Sequence, residues 1–210
     1  MLRGNEGLTI DPRDPGWADA LLGRGRALLE LAAPLPVADA SNRRRKLAAE
    51  GRGDLRQYLE RYGESFDHRA GAVEASYLLA RAALAERDWP SAMDALNRIE
   101  TLADPESEFR QQARFLKGDA LLAQGLWEPA VEAYSAAYRA YLTSDERLWG
   151  LVGRAQAYLR LGRRDEARRD YENGRAIYDE KKDAFDKSLA GRGKDVWAPA
   201  LEALGKELAP

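Results

Sequence analysis

His68 is the only histidine of the 210-residue chain and stands beside Asp67 in the polar stretch ESFDHRAG. A histidine next to a carboxylate is the smallest unit from which a general base can be built. Adjacent residues on a helix point in different directions, however, so the pair is poorly aligned and His68 reads as a solvated residue near a helix start. The chain has no cysteine, which removes disulfides, thiol catalysis and cysteine-based zinc sites together. A single histidine gives a multi-histidine metal centre or a Ser-His-Asp arrangement nothing to build with. The carboxylates lie on charged helix faces, as Glu128, Glu132 and the neighbours Asp165 and Arg169 illustrate. None stands in an apolar setting that would shift its pKa for acid–base work. No Walker-type loop, GxSxG elbow or EF-hand loop occurs. Gly51-Arg52-Gly53 and Gly191-Arg192-Gly193 are too short to cradle a phosphate and read as helix breaks. The chain is therefore expected to be no enzyme and to use no cofactor or metal.

Charge is balanced. Lys+Arg is 33, Asp+Glu is 35 and the formal net charge is -2, which gives no reason to expect a nucleic-acid partner. The densest basic run is Arg43-Arg44-Arg45-Lys46. On a helix it wraps more than half a turn, near the acidic Asp39 and Glu50. An RNA- or anionic-lipid-binding role would rest on this run alone. A second cluster, Arg154, Arg160, Arg163, Arg164, Arg168 and Arg169, is interleaved with Asp165, Glu166 and Asp170. Pairing within the helix is its default reading.

The elements that carry these residues are helical. Ala, Leu, Arg and Glu dominate, all good helix formers, and no alternating strand pattern stands out. Residues 1–16, with Gly4, Gly7, Pro12, Pro15 and Gly16, read as an irregular tail. A helix is expected from Trp17 to about Ala32, weakened by Gly23 and Gly25. Pro34 and Pro36 stop it. A second runs from near Ala40 to about Tyr62, with a kink or break at Gly51 and Gly53 and a stop at Gly63. These two form a degenerate N-terminal pair over 17–66. No segment approaches the roughly 20 apolar residues of a membrane span. The N-terminus has no continuous apolar core, so it is not read as a signal peptide. The compartment stays open between cytoplasm and cell envelope or periplasm, the latter with a leader outside this sequence.

From about residue 70 the chain repeats. Ala80, Arg87, Trp89, Ala92, Leu96 and Ile99 lie over Gly118, Gly125, Trp127, Ala130, Tyr134 and Ala137. Both lie over Ala155, Gly162, Arg164, Ala167, Tyr171 and Gly174. The matching alanines are 38 and 37 residues apart, a solenoid period. A small residue in the first helix admits the second. A turn follows in which Gly125 and Gly162 are free to take positive φ, and a large residue fills the space within the pair. Pro90 and Pro129 sit in first turns, where the missing N–H costs nothing. Each pair leaves an apolar face that the next must cover. The helix from about 165 is expected to run to Leu189. Asp195 caps a last helix with Trp197, Leu201, Leu204 and Leu208 on one side, which starts close to Pro199 or bends there.

These residues resemble the tetratricopeptide repeat, whose core pattern is small–x6–Gly–x–aromatic–x2–Ala–x3–Phe/Tyr. The resemblance covers about residues 70–178. Arg87 replaces the first turn glycine, the early tryptophan is absent, and the period exceeds the usual ~34 residues. Residues 55–65 followed by 72–99 are similar to the rhythm of bacterial cell-envelope members. The resemblance implies an all-α, right-handed helical-hairpin solenoid: three clear repeats over 70–190, the degenerate N-terminal pair, and a capping helix at 194–210. It also implies a concave face lined by the first helix of each pair. That face takes Glu74, Tyr77, Arg81 and Leu84 from the first repeat. Gln112, Phe115, Asp119 and Leu122 come from the second, and Trp149, Val152, Gln156 and Arg160 from the third. Tyr77, Phe115 and Trp149 would form an aromatic binding stripe, with Arg81, Asp119 and Gln156 as polar selectors. The opposing reading has the C-terminal helix covering the aromatics as an intramolecular plug.

The expected function is that of a non-enzymatic adaptor binding a protein or peptide in this face. The alternative is a structural or assembly subunit of a complex, including one of the cell envelope, working through its ends or convex side. Self-association is left open.

Overall fold

The computed structural model of the chain describes residues 15–32, 41–140, 144–181 and 194–209. Among these are nine α-helices, one short 3-10 turn and no strand. The chain divides into two compact units, Met1–Arg87 and Asp88–Pro210. The division falls inside the expected repeat region, and the helix after residue 68 belongs with the N-terminal unit.

The first unit holds α1 (Pro15–Ala32), α2 (Ser41–Tyr62), the 3-10 turn Phe66–His68 and α3 (Arg69–Glu86). The expected break in α2 does not occur: the helix runs through Gly51 and Gly53. Gly51 is used for a close crossing. A Cβ there would sit 2.9 Å from the Gly25 carbonyl oxygen, and one at Gly25 would sit 2.8 Å from Leu55. Without side chains the backbones of α1 and α2 meet directly, which offsets the poor helix propensity of glycine. Beside this crossing the Arg24 guanidinium grips the buried Asp54 carboxylate with two bonds, of 2.6 and 2.5 Å. α3 is seated on α2 by Tyr58, whose ring end occupies the space a side chain at Gly71 would need.

The second unit holds α4 (Trp89–Leu102), α5 (Glu108–Ala123), α6 (Trp127–Ala140), α7 (Ser144–Arg160), α8 (Arg164–Lys181) and α9 (Lys194–Leu208). Asp88 caps α4 by accepting from the Ser91 amide at 3.3 Å, and Ser107 caps α5. Each helix of this unit packs on the one before it. In addition α5 packs on α7 and α7 on α9, so that α5, α7 and α9 form a row. α8 ends at Lys181. Leu189 and the Gly191–Gly193 break lie outside the described residues, as does the side chain of Asp195.

The turn register read from the sequence holds. Gly125 and Gly162 have φ of 77° and 75°, and Arg87, aligned with them, is left-handed too, at 60°. Ala92, Ala130 and Ala167 are fully buried, as are Ala80 and Ala155.

Candidate functional site

The residues assigned to the binding face fall into two groups, one in each unit. In the first unit Glu74 is ion-paired with Arg26 of α1. Tyr77 is buried, and the exposed Arg81 guanidinium lies 5.8 Å from its ring centroid. Leu84, one turn on, is half-buried.

In the second unit the two expected stripe aromatics are in the core. Phe115 is 0% and Trp149 1% exposed. Their rings stack on each other, centroids 5.1 Å apart and planes at 22°. The solvent-facing aromatic stripe expected from the sequence is therefore corrected: Tyr77, Phe115 and Trp149 are all buried.

The physical reason lies in α6. The Tyr134 ring lies between Gly118 of α5 and Gly153 of α7. A Cβ at either glycine would come within 2.6 Å of the ring's Cε1. With no side chains there, α5 and α7 close around Tyr134. The backbone of α7 at Gly150 also comes close to Phe115. Aromatics on facing first helices then meet one another instead of water.

One carboxylate completes this knot. Oδ1 of Asp119 accepts the Tyr134 hydroxyl at 2.5 Å and the Trp149 indole N–H at 3.1 Å. It thereby joins α5, α6 and α7. Asp119 is thus an anchor of the core as well as a half-exposed residue of α5. Gln112 is buried and donates to Glu108 at 2.7 Å, and Val152 is buried. Leu122 and Gln156 remain half-exposed. Arg160 is exposed and pairs with Glu207 of α9 at 3.3 Å.

The arginines of α7 and α8 also behave differently from expectation. Most of their partners lie on other helices. Arg154 of α7 makes a two-pronged pair with the buried Asp170 of α8, at 2.8 and 2.7 Å. It also reaches Ser135 and lies over the Tyr138 ring, both on α6. Burial pulls its pKa down, and the bond and charge of Asp170 more than compensate, so the net shift is upward. Arg163 bonds Glu166 locally, holding that carboxyl below its ordinary range, and also pairs with Glu128 at the start of α6. Sequence spacing reveals only contacts three and four residues apart, so these cross-helix pairs were outside its reach.

The remaining candidates are surface features of the first unit. The His68 ring is not freely solvated: it packs against Tyr62, centroids 4.8 Å apart, and edge-on to Tyr58. Tyr58 donates its hydroxyl to the His68 carbonyl at 3.3 Å. Burial, followed by the charges of Asp19 and Glu74, raises the Tyr58 phenol pKa. Arg43, Arg45 and Lys46 are exposed on α2, and the Arg44 side chain lies outside the described residues. Phe66, which the sequence did not single out, is 84% exposed in the 3-10 turn. Among the described residues no group of three or more His, Cys, Asp or Glu is placed to hold a metal ion. No described helix is long and apolar enough to cross a membrane.

Comparison with protein-family models, curated proteins and solved structures finds no match to this chain.

Proposed function

We propose that the chain is a non-enzymatic adaptor of tetratricopeptide type. In this reading it presents the accessible side chains of its first helices to a protein or peptide segment. The observation that carries the reading is the division of labour along these helices. Their aromatic residues and glycines are used to lock neighbouring helices together, as in Phe115–Trp149 and Gly118–Tyr134–Gly153. Arg81 and Leu84 in one unit, and Leu122 and Gln156 in the other, stay accessible. A locked backbone holding a mixed aliphatic and polar row is suited to binding a segment without large ordering costs. The resemblance of residues 70–178 to tetratricopeptide repeats supports the same reading.

The test compares two full-length variants for partner capture and for helicity by circular dichroism. Leu122→Asp/Gln156→Ala is expected to keep its fold and lose the partner in a salt-insensitive manner. Capture that survives this change and Arg81→Ala/Leu84→Asp contradicts the reading.

A second reading, an assembly subunit working through its edges, is favoured by Phe66 and by Leu126, which is 45% exposed in the α5–α6 turn. Exposed large apolar residues at turns are candidate contact anchors. Loss of a complex in Phe66→Ser or Leu126→Ser, with the first-helix variants unaffected, would select it.

A further inference from the structure

α9 differs from the other helices of its unit in how it is attached. α5 and α6 are joined by Gln124–Leu126, and α7 and α8 by Leu161–Arg163. Three residues leave a helix only its predecessor to pack on. Twelve residues, 182–193, join α8 to α9. At full extension twelve residues reach about 40 Å, so the connection does not dictate which copy of the α7–α8 face α9 must take.

Recognition is instead made by side chains and by the helix end. Trp197, Leu201, Leu204 and Leu208 are buried. Gly205 leaves room for the Tyr171 hydroxyl, which would lie 2.8 Å from a Cβ there. At the negative end of α9, Arg168 donates to the Leu208 carbonyl at 2.7 Å and Arg164 to the Ala209 carbonyl at 3.1 Å. These two guanidinium groups satisfy carbonyls that a helix end otherwise leaves to solvent. Arg160 adds its pair with Glu207. Every group named on α9 is carried identically by α9 of another copy. Pro199, Glu202 and Lys206 are exposed on α9, and this polar side offers no apolar face on which a further copy could stack.

We propose that the α7–α8 face is a helix-receiving site that α9 of a second copy also fills, so that two chains pair by reciprocal exchange of their C-terminal helices. Exchange of an identical element is a low-cost route to a dimer, because it makes no new contact and loses none. The closed monomer is favoured by the high effective concentration of its own α9, of order 1 mM for a short connection. The dimer therefore grows as the chain concentration approaches that value. This pairing stands independently of the adaptor reading.

The natural chain has no cysteine, so introduced thiols are unambiguous. Full-length Arg160→Cys and Glu207→Cys chains are mixed at about 1 mM and treated with a short bis-maleimide. A full-length chain carrying both changes is treated when dilute. The double variant is expected to bridge within one chain. The mixture is expected to give covalent dimer severalfold above either single variant alone, and Leu204→Asp placed in the Glu207→Cys chain is expected to abolish it. Dimer no more abundant in the mixture than in the separate chains, with the double variant bridged, would show that α9 stays on its own chain and overturn the proposal. Dimer that persists with Leu204→Asp, or a double variant that does not bridge, would overturn it equally.

Discussion

The Tyr134 ring fills the volume that a side chain at Gly153 would need, and α7 lies against α6 on that account. The relationship recurs. Tyr58 of α2 stands in the same relation to Gly71 of α3, and Tyr171 of α8 to Gly205 of α9. In each case a tyrosine from the second helix of a pair meets a glycine in the first helix that follows. The glycine weakens its own helix by up to ~1 kcal/mol relative to alanine. Tight packing of an aromatic ring offsets that loss.

This relationship separates the glycines by what their replacement does. Gly153→Ala forces the Tyr134 ring to move and is expected to destabilise by about 1–3 kcal/mol as an overpacked core change. Gly23 and Gly53 have open space where a Cβ would go. Gly23→Ala and Gly53→Ala are expected to stabilise by roughly 0.5–1 kcal/mol through helix propensity. Urea unfolding midpoints of the three variants check the opposite signs.

Asp119 accepts from both Tyr134 and Trp149. Asp119→Ala leaves both donors without that acceptor, and the expected loss is about 1.5–3 kcal/mol, the range for bonds to a charged group. In a double-mutant cycle, Tyr134→Phe with Asp119→Ala should be clearly less costly than the sum of the single changes. Strict additivity would show that the hydroxyl and the carboxylate are not coupled.

Arg87 holds a left-handed conformation in the turn position where the later repeats have Gly125 and Gly162. A residue with a Cβ is strained there by about 1–2 kcal/mol. Arg87→Gly removes that strain while loosening the unfolded chain. The net expectation is stabilisation of up to about 1 kcal/mol, read from thermal or urea unfolding.

Tyr58 gives the stability a defined alkaline slope. Its phenol titrates above the ordinary value of 10.0 because it is buried and near Asp19 and Glu74. As pH rises the unfolded chain releases this proton first. The stability tied to Tyr58 is therefore intact below about pH 10 and is lost as pH rises through the raised folded-state value. Tyr58→Phe should flatten this part of the profile in urea unfolding followed from neutral pH to above 10. Equal slopes in the two proteins would contradict it.

Much of the local structure was legible in the sequence. The alanine and glycine spacing fixed the helix–turn register closely enough that Arg87 could be matched to a turn glycine before its φ was known. The stripe of Trp197, Leu201, Leu204 and Leu208 was likewise readable at helical spacing, and all four are buried. The role of Phe115 and Trp149 was not legible. Periodicity says that a residue lies on the face of a helix, but not whether water or another helix meets that face. That depends on how closely α5 and α7 approach around Tyr134. The spacing of Gly150 and Gly153 on α7 was the available signal. Gly51 misled for a related reason: a mid-helix glycine marks either a break or a close crossing, and only the partner, Gly25, tells which. The cross-helix pair Arg154–Asp170 has no sequence signature at all.

The most direct measurement is the unfolding free energy of full-length Trp149→Ala. The account places Trp149 in the core, stacked on Phe115 and bonded to Asp119, and predicts a loss of about 3–5 kcal/mol, typical of truncating a buried aromatic. A variant with wild-type stability that had lost only a binding partner would contradict it, and would return Trp149 to the surface of a binding groove.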